Sequence, residues 1–227
     1  MKDEKLEQKA NFMSKVTFSS TNKQPNLDYT AEINASLKNY SLPSSSFKAA
    51  DLGECGEPPY GLTESSSKIC VYLKLNRIWG WRPTPIDDDD IIKAGKSWPE
   101  DFVRHWQSQD NTNFVWMSCK AQNKTEQAKF EVFEYFPRNR GIDLKFFPFT
   151  KTEDEEIPPA PLVAVMITPT SGFEDETTVV IECRAFYKGN SVQCYYFSIS
   201  VSRLDVVHET KMGKHRGLVP FELKRVK

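Results

Sequence analysis

The cysteines, the histidines and one acidic run are the residues of this 227-residue chain whose types could do chemistry. Cys55, Cys70, Cys119, Cys183 and Cys194 could form disulfides, ligate a metal or, as a thiolate, attack an electrophile. A nucleophilic Cys194 needs a positioned base, and the sequence suggests none. His105 stands beside Trp106, while His208 and His215 fall in a Lys/Arg-rich stretch; none of them shows metal-ligand spacing with the spare cysteine. Asp87-Asp88-Asp89-Asp90 invites a calcium reading, but the EF-hand spacing and its glycine are missing, and such runs are ordinarily solvated loop. The acyl-transfer, phosphate-loop, dinucleotide and zinc-protease signatures are absent as well. The chain therefore reads as non-enzymatic, with no catalytic or metal-binding residues and no cofactor.

Charge and composition exclude more. Thirty basic and thirty-one acidic residues leave a net charge of −1, with no basic stripe of the kind that binds nucleic acid. Fourteen prolines and 12% aromatics suit a β-rich fold with many bends. The longest apolar run, Pro161 to Ile167, has a strand's length and not a membrane span's. Asn34-Ala35-Ser36, Asn39-Tyr40-Ser41 and Asn123-Lys124-Thr125 have the form of glycosylation acceptors, which favours the secretory route.

The elements that must position these residues are mostly strands. Residues 1–28 are polar and aperiodic and read as a poorly ordered lead-in; residues 29–227 read as a single domain. Tyr29 to Leu42 allows a short helix. Ile69, Val71, Leu73 and Leu75 recur at period two, with Tyr72, Lys74 and Asn76 on the other face, so this is a half-buried strand. Ser97 and Glu100 form a capping box before Phe102, Val103 and Trp106, predicting an amphipathic helix from Trp98 to Gln107. Phe114 to Cys119, Phe130 to Phe136, Pro161 to Ile167, Thr177 to Phe186, Tyr195 to Val201 and Phe221 to Val226 follow as strands. Cys183 shares a face with Val179 and Ile181, and Cys119 with Met117, so both cysteines can point into one core. A bridge between them would close a long loop and stabilise by roughly 4 kcal/mol. On the last-but-one strand Cys194 falls opposite Tyr195, Phe197, Ile199 and Val201. It is then either exposed and able to link two chains into a dimer, or buried under the Lys188–Arg216 stretch.

Cys70-x-x-x-Lys74-Leu75-Asn76-Arg77-Ile78-x-Gly80-Trp81 resembles the signature strand of the β subunit of the sodium/potassium-transporting P-type ATPase. Four further stretches resemble that family in the same order: Trp116-Met117-Ser118-Cys119, Glu134-Tyr135-Phe136-Pro137 with Phe146-Phe147-Pro148-Phe149, Pro161-Leu162-Val163-Ala164-Val165, and Ile181-Glu182-Cys183-Arg184-Ala185. The resemblance implies a mainly β, Ig-like antiparallel sandwich, here with one short amphipathic helix and long loops. It implies the pairs Cys55–Cys70, closing a loop worth roughly 3 kcal/mol, and Cys119–Cys183. It also implies that Phe146, Phe147, Pro148 and Phe149 contact the pump's α subunit as an exposed aromatic patch.

The resemblance further implies a non-catalytic accessory subunit supporting folding, export and cation handling of the α chain. Such a subunit sits on the extracellular side of the plasma membrane, single-pass type II, through an upstream helix absent from this chain; without that helix the product is secreted. The sequence departs from the family in three places. The first of three cysteine pairs is missing, with Ser45 and Ser46 near its second member. Phenylalanines replace tyrosines in the aromatic segment, and Lys188 to Arg216 is rearranged or lengthened. Those departures keep a second reading open: a secreted or cell-surface adhesion-type sandwich module without a pump role.

Overall fold

The computed structural model describes residues 14–19, 23–41, 47–62, 68–75, 78–110, 112–150, 159–171, 173–174, 178–188, 199–201 and 218–226. Two sheets form its centre. One has the strand order β1 (Ser14–Ser19), β9 (Leu218–Val226), β7 (Thr178–Phe186), β3 (Phe114–Ala121), β5 (Gly141–Asp143). The other has the order β4 (Phe130–Phe136), β6 (Leu162–Pro169), β2 (Ile69–Leu75), β8 (Ile199–Val201). Every pairing is antiparallel except β1 with β9. The architecture is a mainly β sandwich.

Alternation decides which side chains meet between the sheets. Val71 pairs with Val165 and Leu73 with Val163, and all four are fully buried. Val115, Met117 and Cys119 on β3, with Val179, Ile181 and Cys183 on β7, fill the same core. Cys119 and Cys183 lie directly opposite one another on neighbouring strands, bridged with a Cα–Cα distance of 4.0 Å. That bridge staples strands within one sheet.

The outer faces are covered too, which corrects the half-buried reading of β2. Cys70 and Tyr72 point away from the inter-sheet core, yet both are buried. Cys70 is bridged to Cys55 at the end of the 3-10 segment Ala49–Cys55, and the Tyr72 hydroxyl donates to the Cys55 carbonyl at 2.7 Å. That segment lies on the face carrying Cys70 and Tyr72, and Ile33 and Leu37 of α1 (Lys23–Leu37) join the same core. Gly53, at φ 54°, makes the close approach feasible: a Cβ there would stand 2.6 Å from the Phe136 ring. On the other sheet Phe114, Trp116 and Phe186 point outward and meet Phe102 and Trp106 of α3 (Glu100–Gln107) in a second apolar cluster. Phe102 stacks on Phe186 with centroids 4.1 Å apart. Central strands buried on both faces read as unbroken apolar runs, as β6 does.

Beyond β5, the open side of β3 is closed by one loop carbonyl and two side-chain oxygens. Met117 N–H donates to Arg140 O at 2.7 Å, Cys119 N–H to the Tyr135 hydroxyl at 2.7 Å, and Ala121 N–H to Gln127 Oε1 at 2.8 Å. With alternate donors taken up in this way, that edge cannot template a strand from another chain.

Several local expectations need correction. Part of the polar lead-in is structured: Ser14–Ser19 form β1, and α1 begins at Lys23, because pairing with β9 satisfies backbone groups whatever the side-chain polarity. The aspartate run is not loop. Asp87 caps α2 (Asp88–Ala94) through a bond from Asp90 N at 3.0 Å, and Asp90 reaches back to Asp87 N. Carboxylates in that first turn also suit the helix dipole. The capping box expected at Ser97 and Glu100 does not form: the Ser97 hydroxyl donates to Ala94 O, and Pro99 starts α3 without a side-chain cap. A short α4 (Lys124–Gln127) occupies the turn after β3. Cys194, His208, His215, Ser45 and Ser46 lie outside the described residues, as do residues 195–198 of the expected late strand. No helix among the described residues is long and apolar enough to cross a membrane.

Candidate subunit-contact face

β5 leads straight into the aromatic segment. Asp143 accepts a bond from Lys145 N at 2.8 Å and turns the chain into the 3-10 segment Leu144–Phe146. Phe147 then points inward. It is 4% exposed, meets Trp81 edge-on with centroids 5.3 Å apart, and lies 5.1 Å from Phe149. This corrects the expected patch of three exposed rings: Phe147 is part of the core, while Phe146, Pro148 and Phe149 are half-buried. The physical reason is the turn itself, which sends adjacent residues to opposite sides.

Three other stretches hold the segment in place. Phe149 forms a parallel bridge with Trp79, and Gly80 N–H donates to Phe149 O at 2.9 Å. Trp81 also meets Tyr187 edge-on at 5.5 Å, just before Lys188 N–H donates to Thr84 O at 2.8 Å. Phe146 packs edge-on against Phe47 at 6.1 Å, and Phe47 in turn against Tyr40 at 6.0 Å. The Tyr40 hydroxyl donates to Ala160 O at 2.6 Å. Lys145 Nζ sits 5.2 Å from the Phe146 centroid and 3.3 Å from Asp143 Oδ2. The face is thus aromatic with cations at its margin. Each edge-to-face pair adds roughly 1 kcal/mol beyond area burial.

Trp79, which no expectation from the sequence singled out, is 45% exposed here. Gly80 at φ 71° separates the two tryptophans, so that Trp81 packs against the core and Trp79 faces out. The Trp-Gly-Trp spacing was the available signal.

The remaining candidates are dispersed. Asn34, Asn39 and Asn123 are all exposed. Asn34 Oδ1 accepts from the Tyr60 hydroxyl at 2.5 Å, and Asn123 Oδ1 caps α4 through Glu126 N at 2.8 Å. Lys188 ties down the start of α2, pairing with Asp87 and lying 3.7 Å from Asp90. The hydrogen bond from that ammonium, helped by the Asp90 N–H, holds the Asp87 carboxyl at about 2. His105 is half-buried, with Nε2 3.4 Å from Asn139 O; burial and then the Arg140 charge lower its pKa. No group of His, Cys, Asp and Glu among the described residues could hold a metal ion.

Comparison with known proteins places the whole assembly in context. Residues 4–195 match the family described as the sodium/potassium ATPase beta chain. The chain is 30% identical over 126 residues to the sodium/potassium-transporting ATPase subunit beta-1 of Drosophila melanogaster, covering 54% of this chain and 37% of that protein. It is 26% identical over 157 residues to the subunit beta-1 of Tetronarce californica, covering 68% of this chain and 46% of that one. The matched stretch is less than half the length of these curated relatives.

Proposed function

The chain belongs to the sodium/potassium ATPase β chain family, and from that membership we propose that it is the extracellular part of a non-catalytic accessory subunit that assembles with a pump α subunit. In that role it supports folding and export of the α chain and tunes its handling of cations. The observation that carries the reading is the aromatic segment: Phe146, Pro148 and Phe149 are presented at the surface by a buried Phe147 that the sandwich itself anchors. Half-exposed rings on a rigid base are the composition of a protein-binding surface. Loss of the segment's tyrosine hydroxyls leaves an apolar contact without their hydrogen bonds.

Two bridged cysteine pairs and three exposed acceptor asparagines fit residence on the extracellular side. We assign glycans to Asn34, Asn39 and Asn123, and a type II orientation set by a membrane helix upstream of this stretch. Co-expression with a sodium-pump α chain, followed by detergent extraction and co-purification, tests the reading. Recovery of a stoichiometric complex supports it. Secretion of the folded chain with no α chain attached favours an adhesion-type module instead.

A further inference from the structure

The aromatic face divides its residues by role. Phe147 is enclosed, and Phe146 packs edge-on against Phe47 with the Lys145 ammonium over its ring. Trp79 is the large ring that points out. The other strongly exposed large apolar residues among those described, Ile92 on α2 and Val132 on the edge strand β4, belong to neither loop of this face. Trp79 is also held: its backbone bridges Phe149, and the next residue donates to the Phe149 carbonyl at 2.9 Å. A ring presented on a fixed backbone loses little conformational freedom on binding, and tryptophan is the residue type most enriched among dominant interface contacts.

We propose that Trp79 is the principal contact of this face, its indole seating in an apolar recess on the extracellular surface of the α subunit. The proposal rests on the accessory-subunit reading. The recess needs an acceptor for the indole N–H. Its margin is acidic or rich in carbonyls, to match Arg82 and Lys145, which are exposed beside the aromatic residues. The Trp79-Gly80-Trp81 sequence then has two functions in three residues: Trp81 anchors the loop to the core, and Trp79 meets the partner.

Capture of a sodium-pump α chain by the co-expressed chain, titrated in detergent, tests this. Trp79→Ala should weaken capture by about thirtyfold or more, the loss expected of a dominant contact. Trp79→Phe should recover part of the loss, and Phe146→Ala should cost several-fold less than Trp79→Ala. Intact Cys55–Cys70 and Cys119–Cys183 peptides in the captured and free variants establish that the fold survives. Wild-type capture by Trp79→Ala, or a larger loss from Phe146→Ala, overturns the assignment while the accessory-subunit reading stands. No capture by the wild-type chain removes both.

Discussion

The backbone N–H of Cys119 donates to the hydroxyl of Tyr135 at 2.7 Å, joining the two sheets at a point where the neighbouring disulfide does not. Cys119 is bridged sideways to Cys183 in its own sheet. Tyr135 reaches it from β4 in the other, and burial keeps its hydroxyl protonated by raising the pKa. Arg140 lies over the Tyr135 ring, 4.5 Å from its centroid.

Tyr135→Phe keeps the ring and its cation contact but leaves the Cys119 N–H buried without an acceptor. The expected cost is about 1–3 kcal/mol in urea unfolding of the oxidised protein, with an unchanged denaturant slope. Equal stability of the two proteins would show that the inter-sheet tie contributes nothing.

Phe147 and Phe149 should separate folding from surface chemistry. Phe147→Ala empties a site enclosed by Trp81 and Phe149 and should cost about 3–5 kcal/mol, visible as lost secretion or a lowered Tm. Phe149→Ser, at a half-buried position, should be secreted with both disulfides formed. Similar secretion of the two variants would contradict the placement of Phe147 inside.

At Asn34 the glycan and the fold can be told apart. Ser36→Ala removes the acceptor signal and preserves the Asn34–Tyr60 bond; Asn34→Gln removes the signal and displaces the amide that bond uses. Both should lose one glycan on gels, and only Asn34→Gln should also lose stability, by about 1 kcal/mol. Identical Tm values for the two would sink the idea.

Acid should weaken the domain in two steps. His105 has its folded pKa below the usual 6.5, so the folded protein favours the neutral ring. Its contribution is present above pH 6.5 and is lost as pH falls through that value toward the folded pKa. His105→Gln should therefore flatten the Tm profile as pH falls below the usual histidine value of 6.5. Asp87, depressed to about 2, contributes above the normal carboxylate range and loses that contribution as pH falls from about 4 toward 2. Lys188→Met should remove this second, lower step and leave the first. A profile that Lys188→Met leaves unaltered below pH 4 would show that the pair does not stabilise the fold.

Strand character and inward faces were legible in the sequence because they depend on a period of two that each strand carries locally. Val71, Leu73, Val179 and Ile181 announce their burial this way, and Cys119 and Cys183 their common core. The covering of the outer faces was not legible. Whether Tyr72 or Trp116 meets water depends on residues far away in the chain, such as Cys55 and Phe102, and no local pattern encodes that distance. The start of α2 was missed because a carboxylate run is compatible with solvated loop until Lys188, about a hundred residues on, pairs with it. The aromatic segment shows the same division. The family resemblance implied a surface at Phe146 to Phe149, while only the packing of Trp81 against Phe147 put one of those rings inside and left Trp79 facing out. Side-chain type and spacing set what each segment can bury; which of two apolar faces is covered is settled by the free energy of the assembled layers.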